Sequence, residues 1–322
     1  MGLTVLQMVQ AAEIELGLPV STSVFGTNGN PTDNTGRQLG GLANRVLDEL
    51  RRMNRWTTLQ FEFDLVVQVP TTTTGDMDAE SKIIKNIPST AGIAANDWAV
   101  QAEGLLQAAR VASVDSPTQI TMNMENVNTQ NVVGVPVLFM RDTYPMPDGF
   151  DWFNNRTMWD RTNRWELIGP YSPQQDQWQR SGIVATGPRR HFRKLGTFNS
   201  SFRIWPAPAE ITAPLQLVYE FLSINAVSYQ GTETFVQYFT DDTDQTLLDD
   251  NAVIMGIKWM FWEIKGFGSY ITLQNRWVDY VHRLMARDGA APTLKVVKRI
   301  NPLFLSPANV QDGFWPPGNQ GN

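Results

Sequence analysis

The residue types that most often carry out catalysis are sparse in this chain, which has two histidines and no cysteine. A histidine acts as a general base or a metal ligand only when a nucleophile, a carboxylate or further ligands lie close to it. His191 falls in the basic run 189–194 and His282 in a segment with helical periodicity, and neither has such a partner nearby in sequence. We therefore expect structural roles for both. The lack of cysteine excludes disulfides, thiolate nucleophiles and cysteine-ligated metals.

Carboxylates are more numerous, and the densest run is DDTDQTLLDDN at residues 241–251. An EF-hand calcium loop needs glycine at its sixth position and a bidentate glutamate at its twelfth. Counted from Asp242, the sixth residue is Leu247, so a loop leading into a helix N-terminus explains the run better. No carboxylate pair is marked out for glycoside hydrolysis, and no P-loop, GxSxG, HExxH or GxGxxG motif occurs in its required context. The sequence predicts no catalytic residue, no cofactor and no metal site, and hence no enzyme.

The most unusual chemistry lies in TMWDRTNRWELIGPYSPQQDQW, residues 157–178. Tryptophan rings stack on sugars or on bases, fill hydrophobic cores, or join arginine in anchoring contacts between subunits. The sequence leaves core filling and a subunit contact equally open. It also predicts that the arginines of this run pair with Asp160, Glu166 or Asp176. The candidate interface residues of this run are Trp159, Arg161, Arg164, Trp165 and Trp178.

The composition indicates a folded chain with an acidic balance. Hydrophobic residues make up 42% and charged residues 18% of 322 residues, which fits one or two domains with a sizeable core. The net charge is −6, whereas proteins that grip nucleic-acid phosphates usually carry a basic surplus. DNA could slide past such an acidic wall without being bound. The acidic N-terminal segment predicts no signal peptide, and the apolar stretches are too short for a membrane span.

Hydrophobic periodicity divides the chain into helical ends and a β-rich middle. Apolar residues recur at helical spacing in residues 3–16, 38–54, 247–266 and 269–287. From residue 57 to about 238 the sequence predicts strands and loops only, with strands near 59–65, 97–100, 105–113, 119–122, 132–141, 193–196, 201–205 and 215–222. The predicted fold class is α+β, with an inserted all-β domain, a sandwich or a barrel, in a helical bundle formed by both chain ends. The segments are a helical hairpin at 1–56, the β domain at 57–240, a second helical hairpin at 241–289 and an extended C-terminal arm at 290–322.

The C-terminal arm is rich in proline, yet it keeps large apolar side chains that a solvated tail rarely retains. It is therefore predicted to dock on another surface, and folding back onto its own domain is the alternative. The basic residues Lys295, Lys298 and Arg299 could steer the arm toward an acidic partner. The candidate interface residues of the arm are Leu303, Phe304, Phe314 and Trp315.

Four motifs resemble a family of structural proteins from tailed bacteriophages. They are YPMPDGF at 144–150, MWDRTNR at 158–164, GPYSPQQ at 169–175 and FRIWPAPAE at 202–210. Together with helices at both ends, they are similar to the head-to-tail adaptors of short-tailed phages, also called head-completion or tail tubular protein A-like proteins. The resemblance covers residues 4–289, but residues 70–133 carry none of its motifs.

The resemblance implies a virion protein at the head–tail junction, made in the cytoplasm of the host bacterium. Such adaptors form a homo-oligomeric ring, typically a dodecamer, that joins the portal protein to the tail nozzle or tube protein. DNA passes through the channel without specific binding during genome ejection, and no membrane is involved. Twelve copies of a 36.2 kDa chain would weigh roughly 0.4 MDa. The alternative function is a carbohydrate-binding or receptor-binding β module of a phage tail, which would stay small.

Overall fold

A computed structural model describes residues 2–26, 34–101, 109–127, 129–181, 190–196, 201–208 and 211–289. The predicted arm, with Leu303, Phe304, Phe314 and Trp315, lies outside the described residues. The chain is mixed α and β, with helices toward both termini. The helices are α1 (Val5–Leu16), α2 (Asn34–Met53), α3 (Pro173–Ser181), α4 (Asp250–Lys265) and α5 (Tyr270–Asp288). The strands are β1 (Gln60–Val67), β2 (Thr71–Met77), β3 (Ile83–Lys85), β4 (Trp98–Gln101), β5 (Ala109–Ser116), β6 (Gln119–Met122), β7 (Val132–Met140), β8 (Thr143–Pro145), β9 (Phe150–Phe153), β10 (Trp159–Asp160), β11 (Trp165–Glu166), β12 (His191–Leu195), β13 (Ser201–Trp205), β14 (Leu215–Ser223), β15 (Val227–Ser228), β16 (Phe235–Val236) and β17 (Gln245–Thr246).

Four helices from the two chain ends contribute to one hydrophobic cluster, which we name the helical core. A representative side chain from each is fully or almost fully buried there, and these are Met8, Leu47, Ile257 and Trp277. α2 and α4 approach closely at Gly256, where an added Cβ would lie 2.4 Å from Cγ1 of Val46. Such close contact requires glycine. α5 packs less deeply, since Trp277 and Val281 are its only described residues that are buried.

Local capping explains where these helices begin. In α1, the Thr4 hydroxyl accepts from the backbone N–H of Gln7 and the Gln7 side chain accepts from the backbone N–H of Thr4, a reciprocal capping box. The carboxylate of Asp249 accepts from the backbone N–H of Ala252 at 2.9 Å and caps α4. The acidic run at 241–251 is therefore a loop that leads into a helix N-terminus, as its sequence predicts.

Residues 71–140 form a closed antiparallel barrel with the strand order β2-β3-β6-β5-β4-β7. Alternate side chains of its strands fill the interior, including Ile84, Ile120 and Phe139. The sequence left a sandwich and a barrel open, and the structure resolves this segment as a barrel. Its last strand leads through Arg141 and Asp142 directly into β8.

A second β unit has an aromatic core. It consists of β1, which precedes the barrel in sequence, and of strands that follow the barrel. Its sheets have the orders β1-β14-β10-β11, with β9 also on β14, and β12-β13-β8. Phe202 and Tyr219 are fully buried between these sheets, with ring centroids 5.8 Å apart. We name this cluster the β core. β14 also reaches the helical core, because Leu222 near its C-terminal end belongs to that cluster.

The expectation of strands and loops only between residues 57 and 238 is wrong at α3. Ser172 and Gln175 form a reciprocal capping box, with Gln175 N donating to Ser172 Oγ at 3.3 Å and Ser172 N donating to Gln175 Oε1 at 3.1 Å. Pro173 opens the helix and Asp176 lies in its first turn, both favourable at a helix start. The helix is polar along most of its length, so hydrophobic periodicity gives no signal for it.

Eight of the seventeen described strands, β1, β4, β5, β6, β7, β12, β13 and β14, agree with the expected strands within a few residues, and the other nine were not predicted. The strand expected at 105–113 is observed at Ala109–Ser116, and residues 105–108 lie outside the described residues. The boundaries drawn at residues 56, 240 and 289 remain predictions. Val227 and Phe239, although N-terminal to residue 240, are buried in the helical core. The short sheet of β15, β16 and β17 thus lies next to the helices and not in the β core.

Candidate interface around the β10–β11 hairpin

The β10–β11 hairpin carries two of the expected tryptophans at the edge of the larger sheet. Trp159 pairs with Val218 of β14 on one side and with Glu166 of β11 on the other. Trp165 pairs with Asp160, the neighbour of Trp159. Directly paired residues share a face and successive residues alternate, so Trp159 and Trp165 lie on opposite faces of the sheet. They do not form one flat platform.

All three expected tryptophans are exposed to solvent. The exposed fraction is 36% for Trp159, 49% for Trp165 and 69% for Trp178, which lies on α3. The Trp159 indole N–H donates to the carbonyl of Arg156 at 3.2 Å, which fixes its ring without burying it. The interpretation that these rings fill the core of their own domain is therefore wrong. Their use in a contact between subunits remains a prediction.

The arginines of this region pair only in part as expected. Arg156 makes a bidentate contact with Glu166 at 3.0 and 3.2 Å, and this partner raises the pKa of the guanidinium. Arg161 reaches Glu62 of β1 at 3.1 Å. Arg164 has a φ of 60° and is exposed at the tip of the hairpin. Exposed ion pairs of this kind add little stability, so the pairs of Arg156 and Arg161 contribute little to the free energy of unfolding.

The expected pairing of Asp160 and Asp176 with the arginines of the run is wrong. Asp160 accepts from the backbone N–H and the side-chain amide of Asn163, at 3.0 and 2.8 Å, inside the hairpin. Its carboxylate lies 3.6 Å from Arg190. The basic partners lie at β12 and β13, which the fold brings next to the hairpin and α3. They are Arg190 for Asp160, and Arg193 and Arg203 for Asp176. Sequence proximity does not reveal such partners.

Asp176 is the centre of a buried ionic cluster that holds α3 on the small sheet. It is 1% exposed, and its Oδ2 accepts from Arg193 at 2.9 Å and from Arg203 at 2.5 Å. His191 Nε2 lies 4.0 Å from Asp176 Oδ1, and the imidazole stacks on Tyr171 with centroids 4.4 Å apart. Sequence analysis missed this cluster. The capping box at the start of α3 is the signal that could have placed Asp176 in the first turn of a helix, although it does not identify Arg193 and Arg203 as partners.

The chemistry of this cluster is structural. Burial lowers the pKa of His191 below its usual value, Asp176 opposes this shift, and Arg203 adds to it. The imidazole is therefore neutral near pH 7. His191 and Asp176 are both almost fully buried, at 2% and 1% exposure, among Tyr171, Arg193 and Arg203. The expected structural role of His191 agrees with this arrangement, and His282 lies exposed on α5.

The sheet face that carries Trp159 is acidic. Through the pairing of β1 with β14, Glu62, Asp64 and Val66 lie on the same face as Trp159. Glu220 shares that face. In the part of the chain that the structure describes, no cation pairs with Asp64 or Glu220, whose carboxylates instead receive weak bonds from amide side chains at 3.4 Å. The surface around the hairpin thus combines exposed aromatic rings with unpaired negative charge.

A fourth exposed tryptophan lies on β9. Trp152 is 46% exposed, and the ammonium of Lys194 lies 4.7 Å from its ring centroid. Lys194 also lies within 5.2 Å of the Phe150 ring, which is a geometry for a cation–π contact. Partial burial among these rings lowers the pKa of Lys194. Trp152 is therefore capped by a cation.

Among the described residues, no group of three or more His, Asp or Glu side chains is arranged to hold a metal ion. None of the described helices combines the length and apolar character needed to cross a membrane.

Comparisons with known proteins do not assign the chain to a family. No model of a protein family matches the sequence. A search of curated proteins also finds no significant match.

Proposed function

We propose that the chain is a structural subunit of a short-tailed phage virion, a head-to-tail adaptor that joins the portal to the tail nozzle or tube. The proposal takes its direction from the motif resemblance at residues 144–150, 158–164, 169–175 and 202–210. The mixed α and β architecture, with helices toward both termini and β structure between them, is compatible with it. No catalytic role is proposed for any residue.

The observation that carries the proposal is the exposure of large apolar side chains around the hairpin. Trp159, Trp165 and Trp178 are joined there by Ile168, which is 45% exposed. Aromatic residues and arginine are enriched where subunits meet, and clustered exposed apolar surface usually marks a site that another molecule covers. In the proposed ring, the hairpin and α3 of one subunit pack against the next subunit. Trp159 and Trp165 lie on opposite faces of the sheet edge, so a neighbouring subunit that encloses this edge would contact both.

The finer features of the proposal concern the helices and the arm. The helices of both chain ends act as one bundle that faces the portal, and their shared hydrophobic core supports this. Residues 290–322 include an arm that docks on the portal or on a neighbouring subunit. The acidic balance of the chain suits a channel through which DNA slides without binding.

The hairpin contact is tested by replacing Trp165 and Trp178 together with alanine. We expect the thermal stability of the isolated protein to stay unchanged, because these rings contribute little to its own cores. Incorporation into portal-bearing heads should fall strongly, as measured by sedimentation of assembled particles and by cryo-electron microscopy. The matched control is Val133→Ser, at an 81% exposed apolar side chain on the barrel. Normal incorporation of the double variant would refute the hairpin as an interface.

The arm is tested by removing residues 302–322. The isolated protein should keep its thermal stability, while its incorporation into portal-bearing heads should fail. A stability loss in the isolated protein would indicate instead that this part of the arm folds back on its own domain. Normal incorporation would end the docking proposal.

The alternative, a carbohydrate-binding or receptor-binding module of a phage tail, would use the tryptophans as stacking platforms. The strand register argues against one shared platform, because Trp159 and Trp165 lie on opposite faces. Retention of the protein on immobilised polysaccharide, lost in the Trp165→Ala and Trp178→Ala variants, would favour this alternative. An increase of roughly 0.4 MDa in the mass of the portal, expected when twelve 36.2 kDa subunits bind to it, would favour the adaptor.

A further inference from the structure

The larger sheet of the β unit has two open edges on opposite sides. Its strand order β1-β14-β10-β11 places β1 at one end and β11 at the other, and no strand of the described chain pairs with the outer side of either. Three strand spacings separate these edges, which puts them roughly 14 Å apart. They face away from each other, so a contact between them requires two copies of the chain. We name them the β1 edge and the hairpin edge.

The β1 edge presents an apolar rim on one face of the sheet and negative charge on the other. Phe63 and Leu65 lie on the face of the β core but are only partly buried. Asp64, which lies between them in sequence, is on the opposite face and is exposed. No cation of the described chain pairs with its carboxylate, which receives only a weak bond from the Gln216 amide at 3.4 Å. A surface that covers this edge therefore needs an apolar group for one face and a positive charge for the other.

The hairpin edge carries both of these groups in adjacent residues. Trp165 pairs with Asp160, which in turn pairs with Leu217 of the β core, so Trp165 lies on the face of the β core. Its side chain is 49% exposed. Arg164 precedes it at the tip of the hairpin and is exposed, and none of the ion pairs within the described residues involves it. Tryptophan and arginine are the residues that most often anchor contacts between subunits.

The charges favour a contact between unlike edges over a contact between like edges. Two β1 edges would bring Asp64 of one copy against Asp64 of the other, and like charges that face each other across a sheet are destabilising. Two hairpin edges would likewise oppose Arg164 to Arg164. The acidic residue of the hairpin edge, Glu166, is already neutralised by its bidentate contact with Arg156 at 3.0 and 3.2 Å. The hairpin edge is therefore positive where the β1 edge is negative.

We propose that the hairpin edge of one copy packs along the β1 edge of a second copy. Trp165 then covers Phe63 and Leu65, and Arg164 faces Asp64. The inference rests on the proposed function, because it names the surface of the neighbouring subunit that receives the hairpin. The two edges lie on opposite sides of the sheet, so each copy gives its hairpin to one neighbour and receives the hairpin of another. Such a head-to-tail contact forms a ring when its rotation closes, whereas contacts between like edges would form two-fold dimers.

The contact is tested by mixing full-length single-cysteine variants, for which the cysteine-free chain is a clean background. Concentrated Asp64→Cys and Arg164→Cys should form a mixed disulfide dimer under mild oxidation, identified by mass spectrometry, several-fold more than either variant forms dimers alone. The matched control mixes Arg164→Cys with Val133→Cys, at an 81% exposed side chain of the barrel, and should give only the yield of random collisions. A mixed yield equal to that control, or dimers of one variant in excess of the mixed dimer, would overturn the proposal.

Charge reversal gives an independent test of the same contact. Asp64→Arg and Arg164→Asp should each reduce self-association of the concentrated full-length chain in sedimentation velocity. The chain that carries both substitutions should recover it, because opposite charges again face each other in adjacent copies. A double variant that associates as weakly as the two single variants would overturn the pairing of Arg164 with Asp64.

Binding to portal-bearing heads separates the contact from the proposed function. A chain that forms the mixed disulfide but does not bind such heads would refute the adaptor function and leave the contact standing. A parent chain that binds the heads, together with Asp64→Cys and Arg164→Cys subunits that do not cross-link on them, would refute the contact and leave the function standing.

Discussion

Asp142→Asn perturbs the junction between the barrel and the β core. The carboxylate of Asp142 is fully buried and accepts two bonds from Arg110, at 3.0 and 2.7 Å. It also accepts from the hydroxyl of Thr143 at 2.7 Å and from the indole N–H of Trp98. The backbone carbonyl of Asp142 accepts from the backbone N–H of Ile204 in β13 at 2.8 Å. One side chain thus links two barrel strands to the sheet that follows.

The expected loss of stability follows from the Arg110 guanidinium, which the substitution leaves without its carboxylate partner. Asparagine keeps the shape of the side chain but removes its charge, so the guanidinium of Arg110 stays largely buried without a counter-ion. Removing one partner of a buried ion pair costs ~3–5 kcal/mol. The Arg110 side chain is 21% exposed and stacks on Trp98, so part of its charge is still solvated and the lower end, ~3 kcal/mol, applies. At ~2–4 °C per kcal/mol for a domain of 150–250 residues, the Tm should fall by about 6–12 °C.

The assay is thermal unfolding followed by calorimetry and circular dichroism. The matched control is Glu125→Gln, which neutralises an exposed carboxylate near the end of the same barrel and should leave the Tm unchanged. A second variant combines Asp142→Leu with Arg110→Met. Because both charges are then absent, its loss of stability should be smaller than the sum of the two single losses.

Hydrogen–deuterium exchange identifies where the perturbation acts. Faster exchange in Asp142→Asn should be concentrated in β4, β5 and β8, whose residues Trp98, Arg110 and Thr143 donate to the Asp142 carboxylate. A Tm equal to that of Glu125→Gln would refute the reasoning. Additive losses in the double variant would also refute it, since they would mean that the two side chains do not interact.

Three further perturbations test other parts of the structure. Gly256→Ala should destabilise the helical core by ~1–3 kcal/mol in urea unfolding, because its Cβ would lie 2.4 Å from Val46, whereas Gly41→Ala, with open space around it, should not. The pKa of His191 is lowered in the folded state, so the unfolded chain binds the proton first and stability should fall as the pH drops through the usual histidine range near ~6.5. His191→Gln should flatten that fall, and an unchanged slope would assign it to other groups. Because the net charge is −6, duplex DNA should bind weakly at physiological salt, and tight, salt-sensitive binding in a filter assay would contradict the acidic-channel proposal.

Four of the five described helices and eight of the seventeen described strands could be predicted from sequence because their signals are local. Apolar residues at helical spacing located α1, α2, α4 and α5, and Asp249 at a helix N-terminus explained the acidic run. The alternation of Phe61, Phe63 and Leu65 located β1. Each of these signals is contained in a few consecutive residues, where the period of the side chains reports the backbone directly.

The pairing of strands was not predictable, because partners lie far apart in sequence. β1 pairs with β14 across about half of the chain, and β2 closes the barrel against β7. Nothing in a single sequence specifies such partners. The same limit hid the ionic cluster of Asp176, whose partners Arg193 and Arg203 come from different strands.

The candidate interface was predictable in composition but not in geometry. The sequence identified Trp159, Trp165 and Trp178 as unusual, and it left burial in a core and exposure equally open. Their exposure depends on where the hairpin ends the sheet and on how α3 is anchored. β10 has only two residues and therefore no hydrophobic periodicity. Which of its side chains lies on which face of the sheet follows only from its pairing with β11 and β14.

The chain crosses between the helical core and the β core at two places, through Trp56–Gln60 and through Leu222–Val227, and these crossings lie side by side because Gln60 pairs with Leu222. A single crossing of the chain would let the helical part and the β part rotate relative to each other in any direction. Two adjacent crossings, joined where Gln60 pairs with Leu222, form a short ribbon that resists twisting more than one crossing would. Aromatic contact between Phe61 and Phe235 braces this ribbon from the helical side. Twisting of the helical part relative to the β part is thereby more restricted than a single tether of equal length would make it.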